Sequence, residues 1–297
     1  MTEELIGPLA PWWLDETVTD VMLNGDGRVW IDRAAGTAET GLQIGRDQAS
    51  RLLETMCLHL GLRLDRTHPV AEGRLPDGSR MCAVIPPATP DGPILCVRRF
   101  RSVPLSLDDF GPPDVVRRLQ AAVDRADNLV VFGPTGSGKT SLVAAFCRAC
   151  PATTRFVVIE DPVELRLDVE HAVRLEVVPA AGERAASDLG TLVRTALRLR
   201  PDRVVVGEVR GDEALDMVWA LSTGHRGSFS TVHASAPADA RGHLIAMALG
   251  ARPSLGVEAV RARVDSAVDA YVGVVRHASG LRQVSGMWRT DRHGIAA

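Results

Sequence analysis

One segment limits the folds open to this chain more than any other: Gly133, Pro134, Thr135, Gly136, Ser137, Gly138, Lys139 and Thr140 in succession. The spacing G-x-x-x-x-G-K-[ST] is that of a phosphate-binding loop. Such a loop needs a strand before it and a helix after it, and the flanks comply. Asn128-Leu-Val-Val-Phe132 is a short apolar run that reads as a buried strand, and Ser141-Leu-Val-Ala-Ala-Phe146 is helix-permissive. The N–H groups of Gly136, Ser137, Gly138, Lys139 and Thr140 would then converge on phosphates at a helix N-terminus. With Pro134, Thr135 and Ser141 they form the expected ATP-binding set, and Thr140 offers its hydroxyl to Mg²⁺.

Lys139 is the chain's only lysine; arginine fills every other such position. A guanidinium is a broad planar fork, whereas an ammonium is a compact charge on a thin stem. The thin stem suits a position threaded beside a loop wrapped around a triphosphate.

The length of 297 residues allows two domains with sizeable cores. With 45% hydrophobic and 24% charged residues, the composition is that of a soluble globular protein. A net charge of −3 disfavours nucleic acid as a partner. No apolar run is long enough for a membrane span. The acidic start Met1-Thr-Glu-Glu-Leu5 lacks the basic-then-apolar order of a secretory signal. Five scattered cysteines fit free thiols in a reducing compartment. Cys147 and Cys150 have C-x-x-C spacing, but no second pair completes a zinc site, so the structural reading is preferred.

The fold class expected is α/β: a RecA-like domain with a mainly parallel sheet and helices on both faces, preceded by a small α+β domain. The small domain covers 1–103. Strands are expected at 18–23 and 28–32, joined by the hairpin signal Asn24-Gly-Asp-Gly27. A helix at 48–60 and strands at 71–75, 80–85 and 94–97 follow. Pro112-Pro113 and Gly111 mark a stiff boundary, so the linker is set at 104–113. From 114 to 297, strands (128–133, 154–160, 203–207, 227–233) alternate with helices (114–125, 139–149, 187–199, 211–222, 237–249), which implies parallel pairing. A closing hairpin is expected at 269–275 and 281–288, around Ala278-Ser-Gly280.

Two apolar strands end in acids: Phe156-Val-Val-Ile-Glu160 with Asp161 behind it, and Val204-Val-Val-Gly-Glu208. In an open α/β sheet, ligands bind at that carboxyl edge. The site needs one acid to hold Mg²⁺, partly through water, and one to orient the attacking water. His225 and His233 flank the strand at 227–233, and on chemistry alone they are as readily structural as functional. Arginines crowd two places: Arg74, Arg80, Arg98, Arg99 and Arg101, and then Arg194, Arg198, Arg200, Arg203 and Arg210. A subset aimed at phosphate could stabilise transition-state charge.

As an ordered set, the phosphate loop, Ile159-Glu-Asp-Pro-Val-Glu164, Leu199-Arg-Pro-Asp-Arg-Val-Val-Val-Gly-Glu-Val-Arg-Gly211, Thr223-Gly-His225 and Thr231-Val-His-Ala234 resemble the type II/IV secretion ATPase superfamily. Thr19-Asp-Val-Met-Leu-Asn-Gly25, Arg74-Leu-Pro-Asp-Gly-Ser-Arg80 and Val97-Arg-Arg-Phe100 are most similar to its tight-adherence pilus (CpaF-like) branch. That branch usually carries a longer N-terminal helical region. The acid box is closer to pilus-extension, retraction and type II forms, and the type II tetracysteine element is missing.

The resemblance implies a homohexameric Mg²⁺-dependent ATPase, cytoplasmic and peripheral to the inner membrane, working on platform proteins of a pilus or secretion system. It implies that Glu208 orients or activates water, with Glu160 and Asp161 assisting. Thr140, Glu160 and Glu208 would hold Mg²⁺. His225 and His233 would couple the γ-phosphate to movement, and Arg74, Arg80 and Arg98 would clamp the phosphates. Pilus retraction and conjugative transfer use the same engine. A RecA-like nucleic-acid motor and a non-hydrolysing scaffold remain the readings from other classes.

Overall fold

The structure is a computed structural model that describes residues 5–33, 36–99, 104–165, 167–178, 187–277, 279–291 and 294–295. Arg101, Phe100 and Ala278 lie outside the described residues. Contacts divide the chain into two units, Met1–Ser102 and Val103–Ala297.

In the first unit, the turn at 24–27 joins β1 (Val18–Leu23) to β2 (Arg28–Arg33), as the sequence predicts. β3 (Gly36–Gln43), β4 (Val70–Arg74), β5 (Arg80–Val84) and β6 (Ile94–Arg98) complete a sheet ordered β3-β2-β1-β6-β5-β4, with neighbouring strands antiparallel. Alternate residues Val21, Val97, Met81 and Leu95 face a core shared with Leu53 and Met56 of α2 (Arg46–His59) and Trp13 of α1 (Ala10–Leu14). β3 was not expected: it is an edge strand, mostly exposed, with no apolar alternation to mark it.

The second unit contains α3 (Pro113–Asp124), β7 (Leu129–Gly133), α4 (Lys139–Arg148), β8 (Phe156–Glu160), β9 (Ala172–Glu176), α5 (Leu189–Ala196), β10 (Arg203–Val206), α6 (Glu213–Ser222), β11 (Phe229–His233), α7 (Pro237–Ala251), α8 (Val257–Ala267), β12 (Ala270–Arg276), β13 (Arg282–Asp291) and β14 (Gly294–Ile295). Its sheet is ordered β14-β13-β12-β7-β11-β10-β8-β9. β12 through β9 in that order pair in parallel, while β13 and β14 add an antiparallel edge. β7, β8 and β10 are buried at every residue, which is why they read as unbroken apolar runs. α5 to α8 pack on one face and α3 and α4 on the other.

The segment 104–113 is not free linker chain. A 3₁₀ turn, Leu107–Phe110, buries Leu107 and Phe110 in the second unit's core. Ser106 and Asp109 close it with a capping box, the Ser106 N–H donating to Asp109 Oδ2 at 2.7 Å. Cys147 and Cys150 are buried in α4 and the turn after it, and burial pushes the Cys150 thiol up to about 11. Among the described residues, no helix is long and apolar enough to cross a membrane.

Candidate nucleotide site

In a parallel sheet all carboxyl ends lie on one edge, so strand order dictates who stands beside whom. The order β7-β11-β10-β8 therefore sets the phosphate loop, His233, Glu208 and Glu160 side by side. The register agrees: His233 pairs with Gly133, and Val206 pairs with Ile159 and Ser230.

The loop runs from the end of β7 to the first turn of α4. A Cβ on Gly133 would stand 2.4 Å from the Val274 carbonyl of β12, so that position tolerates only glycine. Gly138, at φ +103°, is the N-cap of α4. Lys139, Thr140 and Ser141 open the helix, where N–H groups have no intrahelical acceptor. Ser137 Oγ is buried inside the loop and finds no partner among the described residues. Free N–H groups, a helix N-terminus and an orphaned hydroxyl fit an oxyanion.

Lys139 is 7% exposed. Its Nζ donates to the carbonyls of Gly133 (3.1 Å) and Pro134 (3.2 Å). It also lies 3.3 Å from His233 Nδ1 and 3.4 Å from Nε2. Burial holds its pKa below that of an ordinary lysine, against the attraction of Glu208. His233 in turn stands against Glu208 Oε1 at ion-pair range. Its pKa is lowered by burial and by the Lys139 charge, with Glu208 opposing, so the ring is neutral near pH 7. On the far side of Glu208, Arg210 Nε donates to Oε2 at 2.8 Å, and its Nη2 reaches the same oxygen. A continuous chain thus runs Lys139–His233–Glu208–Arg210.

Arg210 had only been counted among crowded arginines. The signal was available: two residues apart on extended chain, Glu208 and Arg210 project to one side. Glu213 fixes the turn between them and α6, accepting from the N–H groups of Arg210 (2.5 Å) and Gly211 (3.0 Å).

Thr140, Glu160, Asp161, Glu164, Glu208 and Arg210 line a single cavity. Glu160 is 2% exposed, and its Oε1 accepts from the N–H groups of Glu164 (2.7 Å) and Leu165 (2.6 Å). One of its oxygens therefore shapes the turn after β8. Gly207 makes room for it: a Cβ there would sit 2.8 Å from Glu160 Cγ. No three His, Cys, Asp or Glu side chains among the described residues could hold a metal on their own. A hydroxyl and a few carboxylates fit Mg²⁺ in its usual style, with phosphate and water oxygens completing the shell.

His225 is not brought to this edge. It precedes β11, at the opposite end from His233, and its Nδ1 lies 3.4 Å from the Ala220 carbonyl of α6. Five strand residues span about 13 Å, which puts the two histidines on opposite edges of the sheet.

Arg74, Arg80 and Arg98 belong to the first unit. Arg74 pairs with Arg80, Arg80 with Arg98, and Arg98 with Asp20, making one row across β4, β5, β6 and β1. Arg98 Nε donates to Asp20 Oδ1 at 2.7 Å. Of the remaining arginines, Arg99 stacks on Trp13, Arg194 pairs with Asp216, and Arg203 is buried beneath the Gly227 and Val123 carbonyls.

Residues 3–277 match the family model described as type II/IV secretion system protein. A putative conjugal transfer protein of Mycobacterium tuberculosis is 34% identical over 292 residues, covering 94% of this chain and 82% of its own. The crystal structure of the VirB11 ATPase of the Brucella suis type IV secretion system superposes with a TM-score of 0.52 at 25% identity, covering 98% of both chains. The pilus retraction motor PilT bound to ADP superposes at 0.71 with 18% identity, covering 93% of this chain and 81% of its own, a likeness of fold. This chain belongs to the type II/IV secretion system protein family.

Proposed function

We propose that this protein is an ATP-hydrolysing motor subunit of a conjugation or type IV secretion machine. The chain Lys139–His233–Glu208, beside the cavity holding Thr140 and Glu160, carries that reading. The loop N–H groups and Lys139 bind and orient the polyphosphate. Glu208 takes the position from which a carboxylate orients and activates water against the terminal phosphate. Neutral His233 bridges the lysine and that carboxylate, so it feels the phosphate at one end and the water at the other. Thr140, Glu160 and Glu208 would hold Mg²⁺, partly through water, and the ion would supply charge neutralisation on the phosphate oxygens.

The protein acts as a homohexamer in the cytoplasm, against inner-membrane platform proteins. The relative in Mycobacterium tuberculosis favours conjugal transfer. Assembly of a tight-adherence pilus is the second reading, supported by the motifs at 19–25 and 74–80.

Phosphate release from ATP by the purified protein tests the reading. Glu208→Gln is expected to keep nucleotide binding and to lose turnover by about 10²–10³-fold, the scale of removing one preorganised catalytic group. Wild-type-like hydrolysis by that variant would remove Glu208 from the role.

A further inference from the structure

The acids and His233 flank the phosphate loop on one side only. On the other side, strand order puts β12 next to β7, with β13 beyond it. β12 runs parallel to β7, so the β12–β13 turn rises at the same edge as the loop. Arg276 and Arg282 are register partners at the mouth of that hairpin. Two residues further in, Val274 and Val284 are paired and buried in the core beneath α4, so the alternation of a strand turns both arginines toward the face that carries α4.

Arg282 follows that direction to the loop itself. Its Cδ and Nε lie 2.4 Å and 2.8 Å from where a Cβ on Gly138 would stand. Gly138 is the residue immediately before Lys139 and the N-cap of α4. Two features of this placement are unfavourable on their own. Arg282 Nε is buried and has no acceptor among the described residues. A cation at a helix N-terminus also opposes the helix dipole. One chemistry answers both: an anion lying between the guanidinium and the N–H groups of the loop.

We propose that Arg282 is a nucleotide-binding residue whose guanidinium takes the α-phosphate end of a nucleoside di- or triphosphate. The proposal rests on the reading of the loop as the ATP site. The acids mark the γ end of the polyphosphate, and Arg282 stands on the opposite flank, next to the part that ADP and ATP share. The planar fork suits this role, since it presents several fixed donors to phosphate oxygens.

The test is binding of N-methylanthraniloyl-ADP and -ATP to the full chain by fluorescence anisotropy. Arg282→Gln is expected to weaken both by a similar factor of about tenfold, which is about 1.4 kcal/mol, near the worth of one charge-assisted hydrogen bond. Arg282→Met keeps the stem that packs on Gly138 and is expected to show the same loss, while Arg282→Lys loses less. Unchanged binding of both nucleotides by Arg282→Met, with an unchanged melting temperature, would reduce Arg282 to packing. Loss confined to the ATP probe would overturn the assignment to the shared end. Lys139→Ala sets the floor: a wild-type protein that binds no better than it would overturn the nucleotide reading itself, and the Arg282 assignment with it.

Discussion

Strand β11 has a histidine at its end and another before its start, and the two meet opposite surroundings. His233, at the carboxyl end, is caught between an ammonium and a carboxylate. His225, ahead of the amino end, touches a helix carbonyl, and its own carbonyl accepts from Ser228 Oγ at 2.7 Å. The contrast extends along both edges of the sheet. At the amino edge, Asn128 and Arg203 are held by backbone groups. Asn128 Nδ2 donates to the carbonyls of Ala267 (2.8 Å) and Leu221 (3.4 Å), and its Oδ1 accepts from the Ser228 N–H at 3.2 Å. Arg203 donates to the carbonyls of Val123 and Gly227 at 3.1 and 3.3 Å. At the carboxyl edge, charges compete, and polar atoms such as Ser137 Oγ and Arg282 Nε lack partners among the described residues. One edge uses polar groups to close the fold; the other holds them open for a ligand.

Substitutions that separate activity from stability can break this division. Of the two edges, the larger effect on turnover is expected at His233. His233→Ala removes the bridge between Lys139 and Glu208 and is expected to lower phosphate release at saturating ATP by about 10²-fold, the low end for a group that positions a proton-transfer partner. Its melting temperature is expected to stay near wild type, because the ring is partly exposed. Asn128→Ala should do the reverse. It leaves Ala267, Leu221 and Ser228 backbone groups buried without their partner, at a cost of about 2–4 kcal/mol by the usual penalty for such groups. Denaturant titration reads that loss, while turnover below the melting transition stays within about twofold. Loss of turnover in a folded Asn128→Ala protein would show that the edges are not independent.

Much of this edge was legible in the sequence. The glycines and Lys139 specify a strand–loop–helix unit, and apolar runs ending at Glu160 and Glu208 place acids at strand ends. What the sequence does not carry is the order of strands. Chain order is β7, β8, β10, β11, whereas spatial order is β7, β11, β10, β8. Only the second puts His233 between Lys139 and Glu208 and leaves Glu160 outermost. Arg282 was missed for the same reason: its neighbour Gly138 is remote in sequence, and the β12–β7 pairing makes them adjacent. β9 was missed for another. It is an edge strand with charged Arg174 and Glu176 and no fully buried position, so neither an apolar run nor a clean alternation marks it. α8 was not expected either, although it carries a period, with Val260, Val264 and Ala267 buried on one side.

The smallest expected effect sharpens the comparison most. The two histidines share a residue type and flank one strand, and the resemblance implies the same coupling role for both, so sequence gives them one role. Position gives them two. His225→Ala removes one long contact to the Ala220 carbonyl, on a half-buried ring beyond the end of α6. The backbone carbonyl that receives Ser228 Oγ survives the substitution. The expected cost is about 0.5–1 kcal/mol of stability, the range for one modest hydrogen bond, with phosphate release within about twofold of wild type. A folded isolated protein that loses as much turnover in His225→Ala as in His233→Ala would show that strand polarity does not separate the two roles. Coupling would then have to pass along β11, through Thr231 Oγ1, which donates to the Gly207 carbonyl at 2.7 Å beside Glu208. Thr231→Val would cut that link and should then reproduce the loss; if the edges are independent, it leaves turnover near wild type.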